Sequence, residues 1–503
     1  MKKILETTPL FVFLLPLFFV LHGYVENLGY IRIEEALLLA GTYVAGAGII
    51  FLLCLALFKR LAKAALAAVF FLAFYFFFGS LDDFLKAHAH PLSKYSILLP
   101  AFLLAATALI IFLRRSSRPF RRTFLLLNSM FLCYILIDGA EVFLKPGRPY
   151  GDGRSSGKTR PVTSIDTITY TRYTDTIKPD IYFLLFDAYT SSRALDQQYH
   201  YNNGEFDRFL TAEGFHIQPG SRSNYKYTIL SMPSILNMCY LDGLKDVKGG
   251  PVQEYYYLTD LIRDNELMAF LHRSLGYDIV NCSIFDLRGN PSPVEESLLP
   301  IKTRLITDQT LYSRFYRDIG WNFYQFTINP FSEKILDHSL YNDDRLIDGV
   351  KAASATRSLR PRFIYGHFNI PHPPYYYDKN NNRKKVDHPY SPTDEDHLED
   401  YLDYLTYTNG QAEEMIRTIQ RNTGGKAVII LMGDHGLRYH DELGYNPLFF
   451  VQNQNAVYFP DKDYHLFYDS ISGVNQFRVV LNSLFRQNIP LLKDSTVNVK
   501  DKK

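Results

Sequence analysis

Long uncharged apolar runs in the first third of the chain constrain the fold more than any other feature. Four runs are long enough to cross roughly 30 Å of hydrocarbon as helices, and they cover residues 7–25, 36–58, 64–81 and 95–113. A fifth run, 123–137, reaches spanning length only by including Asp138 and Glu141. We expect these two acids at the outer membrane interface, the alternative being the bundle interior. Residues 1–144 are therefore predicted to form a transmembrane domain with five helices.

The distribution of charge divides the chain in the same way. Residues 1–144 contain 13 Lys/Arg and 8 Asp/Glu, and the rest of the chain has the charge density of a soluble domain. The whole chain has 54 Lys/Arg and 52 Asp/Glu, and this balance argues against a nucleic-acid partner. A hydrophobic fraction of 47% excludes a disordered chain, and four cysteines are too few for a disulfide scaffold.

Basic residues in the connections between apolar runs predict the orientation in the membrane. One alternate set of connections carries only Arg32, Lys86 and Lys94. The other set carries ten basic residues: Lys2, Lys3, Lys59, Arg60, Lys63, Arg114, Arg115, Arg118, Arg121 and Arg122. Cytoplasmic loops are enriched in Lys and Arg. We therefore expect the N-terminus in the cytoplasm and, after five crossings, the C-terminal half outside it.

The C-terminal part is predicted to comprise a linker, one large domain and a tail. Residues 145–178 are rich in Gly, Pro, Ser and charge, which is typical of a linker. Residues 179–492 form the large domain and 493–503 a polar tail. Short apolar runs alternate there with helical segments, at 181–186, 277–283, 362–367 and 427–432. This alternation predicts an α/β sandwich with a mainly parallel central sheet, which binds ligands beyond the carboxyl ends of its strands.

Two of the predicted strands end in acidic residues. Asp187 follows the first strand directly, and Asp434, His435 and Gly436 follow the last one. An Asp in this place could simply cap the next helix. A carboxylate beside an imidazole at a strand end instead favours a divalent metal site, and this pair suits Zn²⁺ or Mn²⁺ better than Ca²⁺. Mg²⁺ is also compatible, and a second metal remains open.

A hydroxyl-rich loop, 223–234, precedes or opens a helix near Pro233, since proline is favoured in a first helical turn. A hydroxyl at a helix N-terminus lies near exposed N–H groups that stabilise an anion. Bound to a divalent cation, such a hydroxyl could lose its proton and act as a nucleophile. The alternative is an ordinary Ser/Thr helix cap.

Two histidines follow a third strand in a proline-rich loop. His367 and His372 stand in the stretch HFNIPHPPYYYD. They could hold a leaving group or a second metal, or either could be a structural histidine. Cys239 and Cys282 both lie in the globular part, and the sequence leaves their pairing open.

Together these motifs resemble the alkaline-phosphatase/sulfatase superfamily. The chain is most similar to its membrane-anchored branch, which includes lipoteichoic acid synthases, lipid A phosphoethanolamine transferases and sulfatase-like bacterial membrane proteins. The resemblance implies five membrane helices followed by an extracytoplasmic, alkaline-phosphatase-like α/β domain. It covers essentially the whole chain, and stretches such as SNYKYTILSMPSILNMCYL carry it.

The resemblance also implies roles for single residues. Thr228 stands in a T-x-x-S-x-P pattern and corresponds to the nucleophile of phosphoethanolamine transferases, and it would also contact the metal. Asp187, Asp434 and His435 correspond to metal ligands, although part of the branch has Glu in place of Asp187. His372 is similar to a catalytic, substrate-side histidine. His367, Arg438 and His440 are predicted to bind substrate.

Two departures separate the chain from well-known members. Ile235 replaces the arginine of the sulfatase C/S-x-P-S-R signature, and no cysteine stands at its first position, Ser231. A formylglycine nucleophile is therefore not expected. Leu437 and Arg438 follow the D-H-G motif where phosphoethanolamine transferases continue with Glu, so the substrate-side half of the site differs.

The predicted function is a membrane-anchored, metal-dependent transfer of a phospho-headgroup. A phosphoglycerol or phosphoethanolamine group would pass from a membrane lipid donor to an envelope glycan or lipid, through a phospho-threonine intermediate. The alternatives are a sulfatase-like or phosphodiesterase hydrolase that uses the same residues, and a non-catalytic envelope scaffold or sensor. The expected location is a bacterial plasma (inner) membrane. The lipid bilayer is an expected partner, and a nucleic acid is not.

Overall fold

A computed structural model of the chain describes residues 2–28, 31–144, 168–175, 178–241, 252–294, 303–315, 318, 330–384, 396–438 and 447–497. The chain forms two compact units. The first contains Met1–Lys158 together with Glu296–Phe323, and the second contains Thr159–Glu295 and Tyr324–Lys503. The predicted boundaries at 144, 178 and 492 stay predictions. Most of the predicted linker and the end of the predicted tail lie outside the described residues.

The first unit begins with six helices. They are α1 (Lys2–Thr7), α2 (Phe11–Glu26), α3 (Ile33–Phe58), α4 (Leu61–His88), α5 (Tyr95–Arg115) and α6 (Arg121–Leu144). In the described part of the chain, four helices, α3 to α6, are long and apolar enough to cross a membrane. Most of their residues are not buried within the unit, as expected for helices whose surfaces contact lipid.

The five predicted spanning helices are only partly confirmed. Pro9 separates α1 from α2, because proline has no backbone N–H to donate to a helical hydrogen bond. The apolar helix α2 consequently has 16 residues, about 24 Å, which is less than the roughly 30 Å of a hydrocarbon core. The carboxylate of Asp138 is buried and lies 3.2 Å from His22 Nδ1 of α2. It therefore faces another helix of the bundle, and its predicted place at the outer membrane interface stays a prediction.

A short stretch of the C-terminal half belongs to the membrane unit, which the sequence analysis did not anticipate. It contains α12 (Arg304–Thr307) and α13 (Leu311–Phe315). The N–H of Gly79 in α4 donates to Gln309 O at 2.8 Å. Arg314 donates to both carboxylate oxygens of Asp83, at 2.7 and 2.8 Å. These contacts attach the stretch to the C-terminal end of α4.

The second unit is built on a six-stranded sheet. Its strands are β1 (Ile181–Asp187), β2 (His216–Ile217), β3 (Asp278–Cys282), β4 (Arg362–Pro371), β5 (Val428–Gly433) and β6 (Asn455–Tyr458). The order is β2-β6-β5-β1-β4-β3. The four strands β5, β1, β4 and β3 are parallel, as predicted, whereas β6 and β2 are antiparallel additions at one edge. The sheet is therefore mixed.

Helices cover both faces of this sheet, which explains why β1 is apolar on both sides. Tyr182, Leu184 and Phe186 pack into one core, on the side of α7 (Ser192–Tyr199), α8 (Gly204–Ala212), α14 (Pro330–Ala355) and α15 (Asp396–Thr423). Ile181, Phe183 and Leu185 pack into the other, on the side of α9 (Thr228–Asn237), α10 (Val252–Arg263), α11 (Glu266–Arg273) and α16 (Gly473–Phe485). Both faces of the central strands are thus out of water.

All four cysteines are free. Cys239 and Cys282 are both buried and are not paired with each other. The two cysteines, whose pairing the sequence left open, therefore do not form a disulfide.

Candidate active site

The carboxyl ends of β1 and β5 bring two acidic residues together. The strands are adjacent and in parallel register, with Phe186 opposite Gly433. The backbone turns sharply after Asp187, because the pairing with β4 shifts register there and Ala188 has φ 60°. Asp434 follows β5 directly, and its Oδ1 accepts the N–H of Ala188 at 3.0 Å. This hydrogen bond fixes the two carboxylates beside each other.

His435 is fully buried and oriented by its own backbone. Its Nδ1 lies 2.8 Å from Gly436 O, so Nδ1 carries the proton and Nε2 presents its lone pair. Nε2 lies 3.5 Å from Asp187 Oδ1 and 3.5 Å from Asp434 Oδ2. Burial lowers the pKa of His435 to about 4. The neutral imidazole that results is the form that binds a metal ion.

Thr228 is the first residue of α9 and joins this group. Its Oγ1 donates towards Asp187 Oδ1 and Oδ2, at 3.4 and 3.3 Å, and lies 3.3 Å from His435 Nε2. The expectation that the helix begins at Pro233 is wrong, because α9 starts five residues earlier and contains Pro233 in its interior. Thr228 therefore has the helix-start position, where free N–H groups stabilise negative charge.

These side chains fit a divalent cation. One ligand atom each from Asp187, Asp434 and His435 lies within 4.8 Å of the others. Asp434 Oδ2 is buried and has no hydrogen-bond partner among the described residues, which is costly for a carboxylate unless something binds it. Two carboxylates, one imidazole and a hydroxyl are a donor set that suits Zn²⁺ or Mn²⁺.

The ionisation of the two carboxylates supports the same assignment. Burial, and then the charge of Asp434, raise the pKa of Asp187 well above its usual range. Burial also opposes ionisation of Asp434, but the imidazoles of His435 and His367 and the N–H of Ala188 outweigh it, so its pKa is lowered. Without a cation, burial and mutual repulsion thus hinder the ionisation of both groups together. A divalent cation would allow both groups to ionise.

Other hydroxyl groups near the site are already engaged. Ser231 is buried and donates to Tyr225 O at 2.9 Å. Thr190 is fully buried, and its Oγ1 accepts the N–H of Leu437 at 2.7 Å. Ser191 caps α7 by accepting the N–H of Ala194. Thr228 is therefore the hydroxyl that the structure places against the acidic pair.

The two histidines of the proline-rich loop have different environments. His367 is fully buried on β4, its Nδ1 lies 2.8 Å from Tyr365 Oη, and its Nε2 has no partner among the described residues. Burial lowers its pKa to about 4. His372 is partly exposed, and its Nδ1 lies 2.8 Å from Pro373 O. Burial lowers the pKa of His372, and the contact with Pro373 O opposes this only in part. The ring is therefore neutral, and Nε2 can accept a hydrogen bond.

Arg438 contributes a positive charge near the site. Its guanidinium lies 4.6 Å from the ring centroid of Tyr227, the residue before Thr228. Its charge acts on Asp187, His435 and His372, whose pKa values it lowers. His440 lies outside the described residues, so its predicted role stays a prediction.

Asp343 on α14 is a buried acid that the sequence analysis missed. Its Oδ1 accepts the N–H of Asn369 in β4 at 2.7 Å, and its Oδ2 has no partner among the described residues. Burial raises its pKa to about 7. A protonated Oδ2 explains how the group tolerates burial. No motif marks it, since Asp343 stands in an acid-rich helix where only packing shows which acid is buried.

The raised pKa of Asp343 predicts a specific pH dependence. The folded state binds one more proton than the unfolded state between about pH 4 and 7, so this group lowers the free energy of unfolding as pH rises through that range. The loss is up to about 4 kcal/mol by linkage. We expect Asp343→Asn, which cannot ionise, to show a smaller fall in thermal stability from pH 5 to pH 8 than the unmodified protein.

The control for this experiment is Asp378→Asn, which removes an exposed carboxylate of the same domain. Its pKa is lowered by hydrogen bonds from Asn382, so it should leave the fall between pH 5 and 8 unchanged. Parallel stability curves for Asp343→Asn and the unmodified protein would contradict the proposed ionisation.

Comparisons with known proteins give one family match and a set of similar solved structures. The sequence model of the sulfatase family matches residues 189–477. Among solved structures, the periplasmic domain of EptC from Escherichia coli has 11% identity and a TM-score of 0.41, over 68% of this chain and 95% of that one. The soluble domain of lipooligosaccharide phosphoethanolamine transferase A from Neisseria meningitidis has 13% identity and a TM-score of 0.41, over 65% and 94%. A Bacteroides thetaiotaomicron sulfatase of glycosaminoglycan metabolism has 15% identity and a TM-score of 0.39, over 61% of this chain and 72% of that one.

No curated protein sequence matches the chain. The family match covers more than half of the chain and includes Thr228, His372, Asp434 and His435. It begins two residues after Asp187, whose place beside Asp434 is given by the fold. The chain therefore belongs to the sulfatase family, and it is an enzyme of the alkaline-phosphatase superfamily.

Proposed function

We propose that the protein transfers a phospho-headgroup from a membrane lipid to an envelope glycan or lipid, with Thr228 as the nucleophile. One observation carries the proposal: the hydroxyl of Thr228 lies within 3.4 Å of both Asp187 and His435, at the start of a helix. The neighbouring hydroxyls of Ser231 and Thr190 already make other hydrogen bonds. Thr228 is thus the group available for covalent catalysis.

Asp187, Asp434, His435 and Thr228 would hold one divalent cation, most readily Zn²⁺ or Mn²⁺. Such a cation lowers the pKa of a coordinated hydroxyl and neutralises charge on a phosphoryl group. The imidazole of His435 is already neutral and oriented for this role, because its Nδ1 contacts Gly436 O. Whether a second metal binds beside His367 and His372 is left open.

The first half of the reaction forms the covalent intermediate. Thr228 Oγ1 attacks phosphorus, the new Oγ1–P bond forms, and the P–O bond to the lipid alcohol breaks. One proton passes from the threonine hydroxyl to the leaving alcohol. Arg438 lies beside Tyr227 and Thr228, and its guanidinium suits the oxygens of the transferred phosphoryl group.

The second half resolves the intermediate. An acceptor hydroxyl attacks phosphorus, the Oγ1–P bond breaks, and Thr228 regains its proton. His372 enters as a neutral imidazole with a free Nε2, so it accepts a proton from the incoming hydroxyl before it can donate one. We assign it this transfer of protons between the attacking and leaving oxygens, and substrate binding to His367 and His440.

The membrane helices favour a lipid donor, since tethering raises the effective concentration of substrates in the same bilayer. By the positive-inside rule the N-terminus is cytoplasmic and the catalytic domain lies outside a bacterial inner membrane. Phosphoglycerol and phosphoethanolamine are the two candidate headgroups. The main competing function is a hydrolase with the same residues, in which water takes the place of the acceptor; a non-catalytic envelope scaffold is a weaker one.

The test is mass spectrometry of the covalent intermediate. Purified full-length protein is incubated with phosphatidylethanolamine or phosphatidylglycerol, without acceptor, and digested with trypsin. The peptide 227–245 contains Thr228 as well as Ser231 and Ser234, so fragmentation must place the added mass. We expect it on Thr228, and its value names the transferred group.

A second measurement separates transfer from hydrolysis. Lipid turnover is followed with and without a glycan or lipid A acceptor. If the protein is a transferase, free headgroup is released slowly without acceptor. When acceptor is added, transfer to the acceptor should be faster than this release. Equal release in both conditions would exclude the transferase and favour the hydrolase, and an adduct on Ser231 would refute the assignment of the nucleophile.

A further inference from the structure

The membrane unit contains a large apolar cavity far along the chain from the catalytic residues. Its volume is about 1130 Å³, which is slightly above the usual range of about 300–1,000 Å³ for ligand pockets in proteins. It is bounded by α2, α4, α5 and α6, through side chains such as Leu15, Phe70, Leu113 and Phe131. All of these residues belong to one compact unit.

The cavity has the length of one membrane leaflet. Along α6 it extends from Arg122 to Tyr134, a rise of about 18 Å. Half of a hydrocarbon core of roughly 30 Å is about 15 Å. An acyl chain that enters from one membrane surface would therefore fill the cavity to about the bilayer midplane.

One end of the cavity is strongly basic. Arg118, Arg121 and Arg122 border it, together with Pro119 and Phe120 of the α5–α6 loop. The three arginines are exposed, and none takes part in an ion pair recorded for the described residues. Like charges that are close together repel, and no acidic residue in the first turn of α6 offsets them. An anion bound at this end would offset the repulsion among the three arginines.

We propose that this cavity binds an anionic phospholipid, with an acyl chain between α2, α4, α5 and α6 and the phosphate on the three arginines. The occupant combines the two features of the site, an apolar interior and a triple positive mouth. Basic pockets between helices on the cytoplasmic side are suited to anionic lipid headgroups. The predicted orientation puts the arginines on that side, so this lipid is distinct from a donor at the catalytic residues. The proposal does not depend on the proposed reaction.

Native mass spectrometry of the full-length protein tests the proposal. The protein is purified in detergent and offered equal amounts of phosphatidylglycerol and phosphatidylcholine. We expect preferential retention of phosphatidylglycerol, and at least a tenfold loss of it in the variant Arg118→Gln/Arg121→Gln/Arg122→Gln. A lipid bound at the catalytic residues is the same in all variants and forms a constant background.

Three further variants make the result specific. The control Lys3→Gln/Lys59→Gln/Arg60→Gln removes the same charge from the same predicted membrane face, away from the cavity, and should keep the preference. Arg→Lys at the three cavity positions should restore most of it. Ala73→Phe narrows the cavity, leaves the arginines intact, and should weaken retention.

Any of three outcomes would overturn the proposal. Equal retention of both lipids by the unmodified protein would mean that the cavity takes annular lipid without recognising charge. Equal loss in the control variant would mean that net charge, and not this site, attracts the anionic lipid. Full retention by Ala73→Phe would contradict the cavity as the place of the acyl chain.

Discussion

Replacing Thr228 by alanine is expected to lower turnover of the lipid donor by at least about 10³-fold and to abolish the covalent adduct. Loss of the nucleophile in covalent enzymes costs this much or more, and the residual rate comes from binding alone. Neither of the two neighbouring hydroxyls can replace it without breaking an existing hydrogen bond, because Ser231 donates to Tyr225 O and Thr190 accepts the N–H of Leu437. The measurement is headgroup release under single-turnover conditions.

The fold should survive this substitution. Thr228 is the first residue of α9 and is partly exposed, and alanine is a good residue inside a helix. We expect thermal unfolding within about 1 kcal/mol of the unmodified protein. Thr228→Ser is the matched control, since it keeps the hydroxyl at the same position, and it should retain measurable turnover and form an adduct. Normal turnover in Thr228→Ala would place the nucleophile elsewhere.

The strand-end rule explains why the acidic pair could be predicted from the sequence. Asp187 and Asp434 each follow a run that is apolar on both sides, and such runs become central parallel strands whose carboxyl ends meet. The hydroxyl loop was identified for a similar reason, because it opens a helix. The exact start of the helix could not be predicted, because proline is common in first turns but Pro233 here lies inside α9.

Features that depend on tertiary packing could not be predicted. Asp343 stands among several acids of α14, and only its contact with Asn369 of β4 singles it out. Strand β6 has four residues and the edge strand β2 has two, and both are too short to be identified by an alternating pattern. The stretch around Arg314 is polar, and its place in the membrane unit depends on a long-range ion pair with Asp83.

The sequence also suggested a sulfatase signature with a changed residue, and the structure gives that change a physical context. Ser231 occupies the position of the modified cysteine of sulfatases, yet it is buried and donates to Tyr225 O. Ile235, in place of arginine, packs in the core behind β1. A formylglycine mechanism is therefore still not expected, whereas Thr228 lies one helical turn earlier and its hydroxyl faces the acids.

Replacing Asp434 by asparagine is expected to weaken divalent-metal binding by at least about 100-fold, since changes even to groups that only support a ligand cost 10–100-fold. Asparagine keeps an oxygen that accepts the N–H groups of Ala188 and His435, so the local backbone should hold. What changes is the charge at the buried, unpartnered Oδ2. The readouts are metal content after purification and the rise in thermal stability on adding Zn²⁺ or Mn²⁺.

Linkage gives the sign of the stability readout. A cation that binds only the folded state stabilises it, by about 2.7 kcal/mol at a concentration 100 times its Kd. The unmodified protein should therefore unfold at a higher temperature with metal than with EDTA, and Asp434→Asn should show almost no difference. Asp343→Asn is the control: it also removes a buried carboxylate near Asp187, but one outside the cluster of ligand atoms. A metal response equal to that of Asp343→Asn would exclude Asp434 as a ligand, and no response in the unmodified protein would favour the non-catalytic scaffold.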